Sequence, residues 1–284
     1  MRLLATDLDG TLLGVGGQVS ERSVAALRCV HDAGWYVVLA TGRPPFMVDL
    51  LLPRLGDVVT HGVMANGSVV ATLPDQRVMR AVRFDIGLAT SVVERLRTLD
   101  DEYGFALATD AGFAHETGFA ERMPAPTPTP PTADVLEAAA GATEAVKLLV
   151  FHRRTGAHEL LGLLPTILGR DVSVTHMGAD CVEVGVAGID KGTGLRFLCE
   201  QLGVDRTEVV AFGDEYNDHE MLTWAGRGIA MANAPEATRA LADEVTEIDA
   251  RWMTTAKDVT TVAITLERSD VTVADLCLTW LPID

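Results

Sequence analysis

The sequence predicts an α/β protein: a doubly wound parallel sheet interrupted by an inserted α+β segment. Three observations carry that expectation. Short apolar runs alternate with helical stretches through the first third of the chain, the same rhythm returns in the last third, and the residues between follow a different pattern.

Leu3–Thr6 is a short apolar strand that runs straight into Asp7 and Asp9. Ser20 caps a helix whose apolar positions Val24, Leu27 and Val30 recur at helical spacing, and Gly34 stops it. Trp35–Ala40 is continuously apolar, as a strand buried on both faces must be. It ends at Thr41-Gly42-Arg43, after which Pro44-Pro45 opens another helical stretch. Val63–Ala65 and Ser68–Val70 flank Asn66-Gly67, a strong hairpin-turn signal. In the last third, Thr193–Leu202 reads as a helix closed by Gly203, and Val209–Phe212 as a strand ending at Gly213-Asp214. A helix begins at or near Asp218 and runs through Met221-Leu222; Gly228–Met231 is the next strand and Pro235–Ala242 the next helix.

The middle contains a helix, Ile86–Leu99, strands Phe105–Thr109, Val146–Phe151, Val172–Thr175 and Cys181–Val186, and helices near Asp134–Ala140 and Gly156–Leu164. Those strands read as one sheet with a face covered by helices. The expected division is a discontinuous core, 1–82 with 187–284, and an inserted domain, 83–186. Pro124–Pro131 can continue neither a helix nor an inner strand and reads as a stiff, solvated loop.

With 284 residues and 48% apolar content, the chain can bury a core in each of two domains. Its net charge of −17 repels the nucleic-acid backbone and anionic membranes, so neither is an expected partner. Cys29, Cys181, Cys199 and Cys277 form no Cys-x-x-Cys pair and read as free thiols in a reducing compartment. The apolar start Leu3-Leu4-Ala5 meets acid too soon for a signal peptide, and no apolar run approaches the ~20 residues of a membrane span. A cytoplasmic protein, monomer or homodimer, is expected.

Four short segments sit where strands end or helices begin, which is where open parallel sheets hold their ligands. In Asp7-Leu8-Asp9-Gly10-Thr11 the two acids lie two residues apart and face one point of an extended backbone. A hard divalent ion suits such a pair, and Gly10 permits close approach to an anion; the same pattern is also ordinary strand-to-loop chemistry. Thr41-Gly42 offers a hydroxyl and a backbone N–H to phosphate oxygens, and is equally common in turns. Lys191, one of only three lysines with Lys147 and Lys257, precedes a helix, where a cation opposes the helix dipole unless an anion lies between them. Gly213-Asp214-Glu215-Tyr216-Asn217-Asp218 brings acids to the end of a buried strand; Asp214 can complete an oxygen-ligand set, and Asp218 can orient Lys191 or a metal-bound water, or simply cap a helix.

Taken in order, Asp-x-Asp-x-Thr, Thr-Gly-Arg, Lys-Gly and Gly-Asp-x-x-Asn-Asp resemble the haloacid dehalogenase superfamily of phosphohydrolases. The run Ala211–Asp218 with Met221-Leu222, Ala225-Gly226 and Ala242-Asp243-Glu244-Val245-Thr246 is similar to its Cof-type branch. The resemblance covers Leu3 to about Thr246 and implies a Rossmann-like core, a substrate-selecting cap in the inserted segment, and a magnesium-dependent phosphatase acting on a small phosphorylated metabolite. It implies that Asp7 is the nucleophile of an aspartyl-phosphate mechanism and that Asp9 is the general acid and base. Magnesium falls to Asp7, Asp9 (through its carbonyl) and Asp214, with Asp218 behind them. The phosphate falls to Leu8, Gly10, Thr41, Gly42, Lys191 and Asn217, with Arg43 close enough to touch substrate. Phosphomutase or phosphotransferase chemistry, and a phosphate-binding module without turnover, are the alternatives. The chain departs from the family after Thr246, where Glu247-Ile248-Asp249-Ala250-Arg251-Trp252-Met253 replaces the usual Asn and Asp-Gly, and a C-terminal extension follows. His115, His176, His219, Trp252 and Trp280 read as packing or surface residues before substrate contacts.

Overall fold

The computed structural model describes residues 2–14, 17–109, 112–123, 127, 129–176 and 179–246. The Glu247–Met253 departure with Trp252, the C-terminal extension with Cys277 and Trp280, and half of the Pro124–Pro131 loop lie outside them. The chain divides into two compact units, Met1–Arg80 with Asp190–Asp284, and Ala81–Ile189.

The first unit is built on an eight-stranded sheet. Its order is Glu244–Val245, Arg227–Ala230, Val209–Gly213, Leu3–Thr6, Tyr36–Ala40, His61–Met64, Val69–Thr72 and Val78–Ala81. The first six strands run parallel. Leu3–Thr6 lies at the centre of this parallel array and is buried along its whole length. Its side chains alternate between two cores. Leu4 packs with Leu27 and Val30 of the helix Glu21–Asp32 on one face, while Leu3 and Ala5 pack with Leu195, Leu198 and Met221 on the other. Helices on both faces make the sheet doubly wound, as the alternating pattern requires.

The helix after Gly188-Ile189 begins at Lys191, two residues before the expected Thr193, and ends at Leu202. A capping box sets that start: the Asp190 side chain accepts from Thr193 N, and the Thr193 hydroxyl accepts from Asp190 N. Near Asp218 the chain forms a single 3-10 turn, Tyr216–Asp218, before the α-helix His219–Trp224. The expected Asn66-Gly67 hairpin turn is present, closed by Ser68 N donating to Ala65 O at 3.2 Å, and a second turn overlaps it one residue earlier, with Gly67 N donating to Met64 O at 3.0 Å. Val78–Ala81 was not legible as a strand because it is a half-exposed edge with no apolar run to read.

The second unit carries a mainly antiparallel sheet ordered Val172–His176, Val182–Val186, Glu144–His152, Tyr103–Thr109, Gly112–His115, with Phe84–Asp85 paired to the start of Glu144–His152. Helices Ile86–Leu99 and Ala157–Leu168 cover one face through Val93, Leu96, Leu160 and Leu164 against Phe105, Leu148 and Val182. The second helix runs past Pro165, where the sequence suggested an end, because Leu168 is still buried. Ala106, Leu149, Phe151 and Cys181 form a smaller core with Phe119 on the opposite face. Among the described residues no helix is long and apolar enough to cross a membrane, and Cys29, Cys181 and Cys199 are free thiols.

Buried Glu116 ties this unit together. Its carboxylate accepts from Arg97 Nη2 at 2.5 Å, Phe105 N at 3.1 Å and Val135 N at 3.4 Å. Glu116→Ala strands the Phe105 and Val135 amides, while Arg97 keeps Asp134, and is expected to cost about 2–3 kcal/mol; Glu116→Gln keeps acceptors in place and costs less. Thermal melts of the two variants check this; an unchanged midpoint for Glu116→Ala contradicts it.

Candidate active site

The parallel strands of the first unit end level with one another, with Thr6 opposite both Phe212 and Leu39 and Gly213 opposite Ala230. Each strand therefore delivers the residues after it to the same edge. Asp7 follows the central strand, Thr41-Gly42-Arg43 and Asp214 follow its two neighbours, and Asn66 and Asn233 follow the strands beyond.

The centre of the site is the Lys191 ammonium. It is fully buried and donates to Asp7 Oδ1 at 2.6 Å and to Asp218 Oδ1 at 2.7 Å. Asp218 is also fully buried, and its other oxygen accepts from Asp214 N and Glu215 N, each at 3.0 Å. Both Asp218 oxygens are thus committed to holding Lys191 and the 214–215 backbone, and the residue acts as an orienter. Asp214 accepts from the Thr11 hydroxyl at 3.0 Å and from Asn233 Nδ2 at 2.9 Å. Asn233 also donates to Gly10 O at 3.1 Å, so it braces the acidic loop from below. Gly10 has φ +86°, and a Cβ there would lie 2.1 Å from Asp214 Oδ2. The close approach that glycine permits here is to a carboxylate of the protein itself.

The carboxylates of Asp7, Asp214 and Asp218 lie together, with one ligand atom of each within 4.8 Å of the others. One ammonium cannot balance three carboxylates out of water. Burial pushes Asp7 up to about 7, against the pull of Lys191 and with the push of Asp218 and Asp9. Burial, followed by the charges of Asp7 and Asp218, pushes Asp214 up to about 9. Lys191 is held in its charged form, since Asp218 and Asp7 outweigh the burial that acts to discharge it. This surplus of buried negative charge on hard oxygen donors is what a divalent cation such as magnesium satisfies, and the donor set fits one. With Asp218 committed elsewhere, Asp7 and Asp214 are the side chains that would hold it.

Asp9 stands apart. Its carboxylate is exposed and lies in the fork of Arg43, with Nε to Oδ2 at 2.7 Å and Nη2 to Oδ1 at 2.6 Å. Any ligation by Asp9 falls to its backbone. The Leu8 side chain is packed in the core, and its carbonyl accepts from Leu13 N at 2.7 Å, closing the loop around Gly10. Thr41 is buried, and its hydroxyl accepts from Arg43 N at 3.0 Å, which folds the Thr41-Gly42-Arg43 segment back on itself. Asn217 is buried and donates to Asn66 Oδ1 at 3.1 Å. The structure thus gathers Asp7, Lys191, Asp214 and Asp218 in direct contact or within ligand reach, with Gly10 against Asp214 and the Asp9–Arg43 pair beside them.

Three contributors escaped the sequence reading: Thr11, which was quoted in the motif but given no role, Asn66, and Asn233. Asn233 follows a parallel strand, and the strand-end rule applied to the other segments would have found it. His115, His176 and His219 are engaged structurally, with ring nitrogens 2.8 Å from Thr129 O, Ala179 O and Thr238 Oγ1 respectively.

Comparison with known proteins gives the family. A family model described as haloacid dehalogenase-like hydrolase matches residues 4–251. The chain is 27% identical over 252 residues to the 5-amino-6-(5-phospho-D-ribitylamino)uracil phosphatase YitU of Bacillus subtilis, covering 86% of this chain and 91% of the relative. It is 29% identical over 263 residues to the pyridoxal phosphate phosphatase YbhA of Escherichia coli, covering 86% and 92%. Among solved structures, the phosphatase BT1666 of Bacteroides thetaiotaomicron superposes with a TM-score of 0.75 at 28% identity, covering 94% of each chain. With nearly the whole described chain inside the family match, and with buried acids and a lysine gathered at the ends of its parallel strands, this protein belongs to the haloacid dehalogenase-like hydrolases, as one of their phosphatases.

Proposed function

We propose that the protein hydrolyses a small phosphorylated metabolite, a sugar phosphate or a phosphorylated cofactor precursor, through an aspartyl-phosphate on Asp7, with magnesium as cofactor. The observation that carries this reading is the fully buried Lys191 ammonium bridging Asp7 and Asp218. A carboxylate held by so short a charged hydrogen bond has a fixed orientation, which is what an in-line attack on phosphorus needs. The relatives named for phosphorylated uracil and pyridoxal derivatives support the substrate class.

In the first step a carboxylate oxygen of Asp7 forms the new bond to phosphorus while the ester oxygen leaves and takes a proton from Asp9. In the second, water attacks the acyl phosphate, Asp9 receives its proton, and inorganic phosphate departs from a regenerated Asp7. Lys191 holds Asp7 in line and offsets charge on the phosphoryl oxygens; Thr41, the backbone of Leu8, Gly10 and Gly42, and Asn217 hold those oxygens. Arg43 exchanges Asp9 for substrate as the ester arrives. Magnesium, when bound by Asp7, Asp214 and the Asp9 carbonyl, supplies the positive charge that a phosphate ester meets. The second unit, with a core of its own, is assigned the choice of substrate.

Purified protein with magnesium is expected to release phosphate from p-nitrophenyl phosphate and from members of a panel of sugar, pyridoxal and pyrimidine phosphates. A panel left intact rejects the function. Asp7→Asn is expected to lower turnover roughly a thousandfold or more; retained turnover rejects the nucleophile. Chelation by EDTA should abolish activity and added magnesium restore it, read as phosphate release before and after readdition. Gly10→Ala drives a methyl group into the Asp214 carboxylate and is expected to lose about a hundredfold in kcat/KM while the protein stays folded by circular dichroism.

A further inference from the structure

The loop Ala65-Asn66-Gly67 does more than reverse the chain. Three consecutive residues have positive φ, +48° at Ala65, +52° at Asn66 and +90° at Gly67. A tight hairpin centred on Asn66-Gly67 would place both left-handed residues where they are tolerated. Here a second turn overlaps that one, closed by Gly67 N to Met64 O, and Ala65 takes a conformation that strains any residue with a Cβ. Strain of this kind persists only where the surroundings over-determine it, and it concentrates at functional sites.

The surroundings are the site itself. Ala65 N donates to Arg43 O at 2.9 Å and Asn66 N to Thr41 O at 3.1 Å, which stitches the loop to the Thr41-Gly42-Arg43 segment. The Asn66 side chain accepts from Asn217 Nδ2 at 3.1 Å. Gly67 approaches the cap of the Lys191 helix so closely that a Cβ would lie 2.0 Å from Asp190 O. One loop therefore touches the segments that carry Thr41, Lys191 and Asn217. Left-handed Ala65 leads directly into Asn66, which meets Asn217, and Gly67, which meets Asp190.

We infer that Asn66 is a positioning residue for phosphate binding and acts through Asn217. A carboxamide nitrogen has two N–H groups. Asn66 Oδ1 takes one, which fixes which way round the Asn217 amide stands and leaves the second donor for a phosphoryl oxygen. Without Asn66 the amide is free to rotate and to offer its oxygen, an acceptor, to an anion. This rests on the reading of Asn217 as a phosphate contact.

The test is a double-mutant cycle with Asn66→Gly and Asn217→Ala in the full chain. Glycine tolerates the left-handed backbone, so the melting temperature of Asn66→Gly should match or exceed that of the wild type. KM for p-nitrophenyl phosphate and Ki for inorganic phosphate should both rise by roughly 3- to 10-fold, the loss of about one hydrogen bond, with kcat changed less. In the Asn217→Ala background, Asn66→Gly should have no further effect. An unchanged KM and Ki in Asn66→Gly, or effects that add in the double variant, overturns the inference. Should the wild type release no phosphate from any ester, the catalytic reading fails by itself. Calorimetric titration of inorganic phosphate into the same four proteins then still decides the role of Asn66.

Discussion

One buried ammonium holds this site together. Lys191 has no exposed surface and spans Asp7 and Asp218 at hydrogen-bonding distance. A charge so placed is tolerable only with its partners present, because an unpaired ion out of water is driven to neutrality. The dependence is mutual. Asp218 uses Oδ1 for Lys191 and Oδ2 for the backbone of Asp214 and Glu215, so the lysine, its buried acid and the loop that carries Asp214 are set by one another. Lys191 itself is delivered by the capping box at Asp190 and Thr193, which starts the helix at that residue. A half-buried interaction, the cap, thus determines where a fully buried charge stands.

Local crowding follows from the parallel sheet. Its strands end in register, so five loops compete for the space at one edge. The structure resolves the competition with glycine where backbones meet other groups, at Gly10 against Asp214 and at Gly67 against Asp190. Where no glycine is available, it accepts a left-handed alanine at position 65. Rigid placement follows, since neither loop can shift without a clash, and rigid placement is what phosphoryl transfer demands of a protein that supplies position and charge rather than new chemistry.

Much of this was legible. Continuous apolar runs identified the central strands because a strand covered on both faces has no polar side to show; Asp7 and Asp214 stood out because charge next to such a run needs a reason, and Lys191 because a cation opposes the dipole of the helix it opens. Asp218 was ambiguous between a cap and an orienter: a helix N-cap and a buried carboxylate have the same sequence appearance, and only the approach of Lys191, from 27 positions earlier in the chain, distinguishes them. Asn66 was hidden by its neighbour, since Asn-Gly is so good a turn signal that nothing further was asked of it. The edge strands Val78–Ala81 and Gly112–His115 left no trace because exposed or short strands carry no apolar alternation. The pairing of Asp9 with Arg43 joins residues 34 apart through the exposed ends of two loops, and no local pattern encodes it.

The charge balance leads one step further. The chain as a whole carries −17, and the site repeats that bias in miniature. Asp7, Asp9, Asp214 and Asp218 face one ammonium and one guanidinium, Lys191 and Arg43. A phosphate ester arriving at such a site brings still more negative charge to a place that already has a surplus. Burial and the neighbouring acids push both Asp7 and Asp214 up, toward the neutral form, which is the protein's own response to that surplus. A protonated Asp7 is, however, a poor nucleophile. On the proposed reading, Asp7 and Asp214 would hold a divalent cation whose positive charge would favour their carboxylate forms and make a repulsive site an attractive one. Cation and ester are then linked ligands, each raising the affinity of the site for the other. That coupling reconciles an acidic protein with an anionic substrate.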